Sequence, residues 1–182
     1  MSPLAISATN IFSFGTLVLD GFVLLGIVMI FWPGLFPKTL AWSARNAILL
    51  SFILSLAAML ASLFYSEIIG FAPCELCWWA RIFLYPQVFL FGLALWRQKK
   101  GEMASDIIVN SLVLSIIGAG ITLYHYYGQS FNPDVLPACT STGVTCSKIY
   151  FTDFGYITLP MMAFSTFAAL IVLMIIRKRR SS

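Results

Sequence analysis

The sequence predicts an all-α polytopic membrane protein whose chain crosses the bilayer five times. Of its 182 residues, 60% are hydrophobic and only 10% are charged, and the mean hydropathy is +0.91. Soluble domains are about 45–50% apolar. Five apolar stretches are also long enough to cross a hydrocarbon core of about 30 Å at about 1.5 Å per helical residue. These observations exclude a soluble protein.

The predicted transmembrane helices contain almost no charge, since Asp20 and Arg81 are the only formally charged residues inside them. The first helix is not typical of a cleaved signal peptide. No basic segment precedes it, its apolar run is too long, and no small-x-small cleavage site follows. In chain order, the five helices are predicted to cover residues 10–32, 46–66, 78–96, 107–127 and 157–176.

Polar residues inside the predicted helices have more than one interpretation. Acidic residues within a membrane are functional candidates by default. Asp20 and the glycine after it are also typical of a helix break, so we assign Asp20 no role. Spaced small residues such as Ser51/Ser55 and Ser111/Ser115 indicate ordinary contact faces between helices.

The distribution of basic residues predicts the orientation of the chain. Nine of the eleven basic residues lie in segments on one side of the membrane, and Lys148 is the only basic loop residue on the other side. Cytoplasmic loops are enriched in Lys and Arg, so we expect the N-terminus outside, the C-terminus in the cytoplasm and both cysteine pairs outside. Because these charges lie at helix ends, the net charge of +4 does not indicate nucleic acid as a partner. The nine residues are Lys38, Arg45, Arg97, Lys99, Lys100, Arg177, Lys178, Arg179 and Arg180.

Cys74 and Cys77 form a C-x-x-C pair directly before the third predicted helix. Trp78 and Trp79 follow the pair, and because tryptophan favours the headgroup layer, the pair is expected at the boundary between lipid and water. A helix N-terminus and the cation of Arg81, one turn further along the same face, would both stabilise a thiolate at Cys77. The pair is either a reactive dithiol or an inert disulfide that ties the loop to the helix.

Metal and haem sites fit the cysteine pattern poorly. Neither the Cys139-x6-Cys146 spacing nor His125, which is distant in the chain, matches the usual spacing of zinc ligands. A c-type haem motif requires His after the second cysteine, where Trp78 stands instead. We therefore predict no metal.

Arg81 and His125 are candidate ligands for a lipid-soluble electron acceptor such as a quinone. Arg81 could donate to a quinone carbonyl and stabilise negative charge on reduction, or it could extend to lipid phosphates. His125 is the only histidine, near the outer end of the fourth helix. It would serve either as an interfacial anchor or as a proton donor to reduced quinone.

The second cysteine pair lies in the longest predicted loop, residues 128–156, which is rich in Pro, Gly, Ser and Thr and therefore irregular. Cys139 and Cys146 are separated by six residues. A disulfide between them would be either a loop staple or an exposed target for a soluble thiol. Because Cys74 and Cys77 are predicted on the same side of the membrane, we favour a relay of electrons between the two pairs.

Residues 73–86 closely resemble the quinone-coupled, disulfide-forming membrane proteins of the DsbB family, and in particular their BdbC-type branch. The Cys-x-x-Cys-x3-Arg spacing is specific. The residues that precede the last helix, which follow Cys146, are also similar to that branch. The two segments read Pro-Cys-Glu-Leu-Cys-Trp-Trp-Ala-Arg-Ile-Phe-Leu-Tyr-Pro and, at 154–160, Phe-Gly-Tyr-Ile-Thr-Leu-Pro.

The resemblance implies a role for each candidate residue. Cys74 and Cys77 would be the quinone-linked pair, with Cys77 facing the quinone, and Arg81 would belong to the quinone site. His125 falls where the family has a histidine near the quinone. The second pair would accept electrons from a DsbA-like thioredoxin-fold partner. Of that pair, Cys139 would form the mixed disulfide and Cys146 would be its companion.

The resemblance covers about residues 45–177 and implies a four-helix domain over residues 45–182. Residues 1–44 then form an extra N-terminal transmembrane helix and a cytoplasmic loop, a departure from the family's usual four helices. The implied location is a bacterial cytoplasmic (inner) membrane, where the quinone pool holds ubiquinone or menaquinone.

The sequence thus predicts a quinone-dependent thiol:disulfide oxidoreductase that reoxidises its partner and supports disulfide formation outside the cytoplasm. One alternative is an enzyme similar to vitamin K epoxide reductases, although those carry their quinone-facing C-x-x-C late in the bundle. The other is a membrane scaffold with two structural disulfides and no catalytic activity.

Overall fold

Five long helices make up most of the computed structural model, which describes residues 3–102, 105–136 and 144–181. Each helix is long and apolar enough to cross a membrane. The described residues contain no β-strand beyond one isolated bridge, so the predicted all-α fold is confirmed. The helices are α1 (Pro3–Phe31), α2 (Pro37–Leu63), α3 (Glu75–Lys99), α4 (Ser105–Ser130) and α5 (Leu159–Ser181).

Four of the five helices begin earlier than the apolar stretches predict. The largest difference is in α2, which begins at Pro37 instead of residue 46. Proline suits the first helical position because its missing N–H is not needed there. The turns that follow include Lys38 and Arg45, whose charges interrupt an apolar stretch without interrupting a helix. Helix α3 begins at Glu75, so Cys77 lies inside its first turn and Cys74 is its N-cap residue.

A π-helical turn, Phe64–Ile68, extends α2 and leads into the loop before Cys74. Gly70 ends it with φ of +80°, in the left-handed region that favours glycine. Cys74 is extended, with φ of −75° and ψ of 175°. The chain therefore turns sharply after α2 and enters α3 directly through the C-x-x-C pair.

The core lies where α5 packs against α2 and α4 and where α3 closes the bundle. Phe91, Phe167, Leu170 and Met174 are almost completely buried there. Gly118 lets α4 approach α5, because a Cβ at this position would lie 2.4 Å from the ring of Phe167.

A polar contact within the bundle joins α3 to α4. Ser111 and Ser115 each donate a hydrogen bond to Gln87 Oε1, over 2.8 and 3.1 Å, and all three side chains are fully buried. Hydrogen bonding lets these polar groups lie inside a membrane bundle. The predicted helix contact face of α4 is therefore confirmed.

Most of the basic residues lie at the end of the bundle opposite Cys74. Arg177 donates to the carbonyl of Ala44 over 3.1 Å, and Arg97 at the end of α3 pairs with Asp106 over 3.1 Å. Since α3 runs for 25 residues from the cysteine end to the basic end, the two ends lie about 37 Å apart at about 1.5 Å per residue.

Helix α1 lies at the edge of the bundle and packs mainly against α5. It is continuous through Asp20, so the interpretation of this residue as a helix break is wrong. Tyr156 donates a hydrogen bond of 2.9 Å to Asp20 Oδ2. The carboxylate is thereby provided with a partner inside the predicted membrane span.

Candidate active site

The C-x-x-C pair lies at the N-terminus of α3, where the chain changes from extended to helical. The Sγ atoms of Cys74 and Cys77 lie 3.2 Å apart, and Cys74 donates to Cys77. Both cysteines are free thiols. A disulfide needs about 2.05 Å between the sulfurs, so a small movement would close this dithiol.

Cys146 approaches this pair from the loop that follows α4. Cys146 and Cys74 are both buried, and they share an apolar cluster with Leu136. Reactive atoms of Cys74, Cys146 and His125 all lie within 4.8 Å of one another. The two cysteine-bearing loops therefore meet at one end of the bundle.

Helix α4 positions the Cys146 loop through two side chains one turn apart. His125 Nε2 lies 2.9 Å from the carbonyl oxygen of Cys146, and Gln129 donates to the carbonyl of Lys148 over 2.7 Å. His125 is buried, with 4% of its surface exposed. The burial of His125 and its bond to the Cys146 carbonyl argue against a role as an interfacial anchor.

The hydrogen bond to Cys146 fixes which atom of His125 carries a proton. A carbonyl oxygen only accepts, so Nε2 must be the donor. The same Nε2 lies 3.8 Å from Cys74 Sγ, and its N–H can therefore stabilise negative charge on that sulfur. A metal would need the lone pair of Nε2 instead. This argues against metal binding by the Cys74, His125 and Cys146 cluster, and the absence of a metal stays a prediction.

Among the described residues, the two thiols outside the membrane-spanning helices, Cys74 and Cys146, are held in the protonated form. The hydrogen bond to Cys77, together with burial, raises the pKa of Cys74 to about 12, and the hydrogen bond with His125 opposes the rise. Burial raises the pKa of Cys146 to about 11, although the backbone N–H groups of Leu76 and Glu75 at the start of α3 oppose this. Both sulfurs thus need a proton acceptor before they can attack a disulfide.

Arg81 lies one turn beyond Cys77 and is bound to α2. Its Nε and Nη2 donate to the hydroxyl and carbonyl of Ser62 over 3.1 and 3.3 Å, and Tyr85 donates to the same hydroxyl. The guanidinium carbon lies 5.2 Å from the centroid of the Trp78 ring. These contacts favour a fixed guanidinium over one that extends to lipid phosphates.

The donor chemistry around Arg81 fits a quinone. Arginine has five N–H groups, and two are used on Ser62. Trp78 and Ile82 expose about half of their surfaces next to it. A flat apolar ring with two carbonyl oxygens suits such a combination of donors and exposed apolar side chains.

Most of the predicted site residues meet in the structure. Cys74, Cys77, Cys146 and His125 come together, Arg81 lies on the next turn of α3, and Cys139 lies outside the described residues. Sequence reasoning missed Ser62, Tyr85, Gln129 and Tyr150. Tyr150 donates to the carbonyl of Ala72 over 2.8 Å and so ties the two cysteine-bearing loops together. No local pattern marks these residues, because each acts across a large separation in the chain.

Comparison with known proteins gives the family. Residues 44–177 match the family model of the disulfide bond formation protein DsbB. The chain belongs to the DsbB family. It is 40% identical over 135 residues to disulfide bond formation protein C of Bacillus subtilis, covering 72% of this chain and 92% of that protein. It is 38% identical over 140 residues to a probable disulfide formation protein of Oceanobacillus iheyensis, covering 75% and 91%. No solved structure matches the chain.

Membership of the DsbB family confirms the resemblance and a multi-pass membrane fold, and it is consistent with a membrane disulfide oxidoreductase. The match begins at residue 44, so it contains most of α2 and all of α3 and α4 and leaves α1 outside. The division into an extra helix and a four-helix domain stays a prediction.

Proposed function

We propose that this DsbB-family protein oxidises the dithiol of a soluble thioredoxin-fold partner and passes the two electrons to a membrane quinone. The observation that carries the proposal is the meeting of Cys146 with the Cys74–Cys77 pair. Cys146 Sγ lies within 4.8 Å of Cys74 Sγ, and Cys74 Sγ lies 3.2 Å from Cys77 Sγ. Three sulfurs in sequence form a path for thiol–disulfide exchange.

The first two exchanges move electrons from the partner through the Cys139–Cys146 pair towards the Cys74–Cys77 pair. A partner thiolate attacks the Cys139–Cys146 disulfide at Cys139, forms a mixed disulfide and releases Cys146 as a thiolate. Cys146 then attacks Cys74 of the Cys74–Cys77 disulfide, so that a Cys74–Cys146 bond forms and Cys77 leaves as a thiolate. Each step exchanges one S–S bond for another and needs no external oxidant.

The return steps complete the partner's oxidation. The partner's second thiol attacks the partner sulfur that is bonded to Cys139, and Cys139 is released as a thiolate. Cys139 then attacks Cys146 of the Cys74–Cys146 disulfide, which restores the Cys139–Cys146 disulfide and releases Cys74. The partner leaves as a disulfide, and Cys74 and Cys77 hold the two electrons.

Quinone, when bound, accepts two electrons and two protons. Cys77 is the sulfur on the membrane side and accepts the hydrogen bond of Cys74, so we assign it the contact with the quinone. Arg81, one turn deeper, would hold a carbonyl oxygen and stabilise negative charge there. The Nε2–H of His125 would stabilise Cys74 when this sulfur leaves as a thiolate.

We place the protein in a bacterial cytoplasmic membrane, with the cysteines outside and the C-terminus in the cytoplasm. The cysteine end and the basic end lie at opposite ends of the bundle, which supports that orientation under the positive-inside rule. The partner and its substrates would then occupy the oxidising side.

Trapping of the partner tests the proposed function. A Cys146→Ser variant, quenched with acid and alkylated before it is purified from cells, should carry a thioredoxin-fold protein disulfide-linked to Cys139. The free Cys139 thiolate attacks the disulfide of the oxidised partner, and alkylation blocks the released partner thiol that would otherwise reverse this exchange. A Cys139→Ser variant is the matched control and should carry none. Equal capture by both variants would contradict the assignment of Cys139.

Arg81 provides a separate test of the quinone. Arg81→Ala should raise the concentration of decylubiquinone needed for half-maximal turnover, and Arg81→Lys should raise it less because it keeps the charge. An unchanged quinone dependence in both variants would limit Arg81 to its bonds with Ser62.

A further inference from the structure

Helix α1 lies outside the family match and yet contacts the segment that follows Cys146. Ser13 Oγ donates to Asp153 Oδ2 over 2.5 Å, and Tyr156 donates to Asp20 Oδ2 over 2.9 Å. Asp153 and Tyr156 both belong to the short connection between Cys146 and α5. We propose that α1 fastens this connection so that Cys146 stays within reach of Cys74. The proposal rests on the exchange between these two sulfurs and assigns Ser13 and Asp20 as positioning residues.

The two hydrogen bonds provide partners for two polar side chains of α1, Ser13 and Asp20. Ser13 is completely buried, and a carboxylate within a membrane span is costly unless it is paired. Each of these two groups bonds to the connection between Cys146 and α5. Separation of the loop from α1 would leave a carboxylate and a hydroxyl without a partner, which favours the fastened arrangement.

The segment that forms hydrogen bonds with α1 is a tight turn, from Asp153 to Ile157. Asp153 and Ile157 exchange two backbone hydrogen bonds of 2.9 Å. Phe154 and Gly155 inside the turn have φ of 50° and 79°, and a phenylalanine in this region is uncommon. The turn therefore has few alternative conformations, so that a grip on Asp153 and Tyr156 also restrains the chain on either side.

A cluster of aromatic rings packs between α1 and the two cysteine-bearing loops. The Phe12 ring of α1 lies 5.5 Å from Tyr65 in the π-helical turn. Tyr65 lies 5.7 Å from Phe71, just before Cys74, and 5.9 Å from Phe151, just after Cys146. Phe71 stacks on Tyr150 at 4.3 Å. Helix α1 thus contacts a packed cluster that holds the two loops against each other.

The proposal is tested by measuring the equilibrium constant for formation of the Cys74–Cys146 disulfide against glutathione. This constant reports the effective concentration of the Cys146 thiol at Cys74. In full-length protein carrying Cys77→Ser and Cys139→Ser, Cys74 and Cys146 are the only thiols. Equilibration with reduced and oxidised glutathione then measures how readily their disulfide forms. Tyr156→Phe and Asp20→Leu should each lower this constant about three- to tenfold, since each removes a hydrogen bond to a charged group.

Three controls keep the result specific. Thr16→Ala removes a hydroxyl of α1 that bonds only to its own helix, at the carbonyl of Phe12, and should change nothing. Asp20→Asn keeps an acceptor oxygen for Tyr156. Its equilibrium constant should therefore be much closer to that of the parent protein than the constant of Asp20→Leu is. Tyr156→Phe should have no further effect in the Asp20→Leu background, because the bond is already absent.

The proposal is overturned if Tyr156→Phe and Asp20→Leu leave the constant unchanged, or if Thr16→Ala lowers it equally. Neither the partner nor a quinone takes part in this measurement. The role of α1 can therefore fail while the proposed function stands. Conversely, failure to trap a thioredoxin-fold partner would leave a measured effect of α1 in place.

Discussion

Replacement of His125 by phenylalanine should slow release of Cys74 as a thiolate while leaving release of Cys146 almost unchanged. His125 Nε2–H lies 3.8 Å from Cys74 Sγ and also donates to the Cys146 carbonyl. A hydrogen bond to a charged group contributes about 1.5–3 kcal/mol. Because the distance is long and the N–H is shared, we expect the bond from His125 to Cys74 to lie near the lower limit. That limit corresponds to a factor of about ten in the equilibrium that forms the Cys74 thiolate. Because the leaving sulfur is only partly charged in the transition state, we expect the rate to fall about three- to tenfold.

The assay starts from protein whose only cysteines, Cys74 and Cys146, are joined in a disulfide. Reduced glutathione cleaves this bond in two ways, which mass spectrometry separates by the sulfur that carries glutathione. Attack on Cys146 releases Cys74 and should be slowed in His125→Phe. Attack on Cys74 releases Cys146 and serves as the internal control. His125→Gln keeps an N–H donor and should recover part of the rate. Equal slowing of both products, or of neither, would refute the role given to His125.

Three further predictions follow from the geometry. Gly118→Ala should destabilise the bundle by about 1–3 kcal/mol because its Cβ would lie 2.4 Å from Phe167. Gly120→Ala has open space and is its control in thermal unfolding. Burial and the neighbouring Cys74 raise the pKa of Cys146 to about 11. In reduced protein whose only cysteines are Cys74 and Cys146, alkylation of Cys146 by iodoacetamide, located by mass spectrometry, should therefore become about tenfold faster per pH unit between about pH 8 and 10. A plateau near pH 9 would contradict this. Gln87→Leu should lower stability by about 1 kcal/mol, since two serine donors lose their acceptor.

The sequence is a good guide to the helices because the bilayer restricts the choice. Backbone polar groups within lipid must be satisfied internally, so a long apolar stretch has to be helical. The ends were harder to predict. Lys38 and Arg45 lower the hydropathy before residue 46, yet α2 already starts at Pro37, because a helix extends through the headgroup layer where hydropathy carries no signal.

The site was predictable where its chemistry is local. The spacing of Cys74, Cys77 and Arg81 marks one face of one helix. The placement of His125 beside Cys74 was not, since it depends on how α4 packs and how the loop after it folds back. The bond from Tyr156 to Asp20 spans 136 residues, and no pattern in either segment indicates it.

The electron count between the protein thiols and quinone tests the central claim most directly. Fully reduced protein is mixed anaerobically with one equivalent of decylubiquinone, quenched with acid and analysed for quinol and for disulfides. The relay predicts one quinol for each pair of thiols lost, a first disulfide that joins Cys74 to Cys77 or to Cys146, and no quinol from Cys77→Ser. Quinol formed at the normal rate by Cys77→Ser, or four thiols that persist in the unmodified protein, would contradict it.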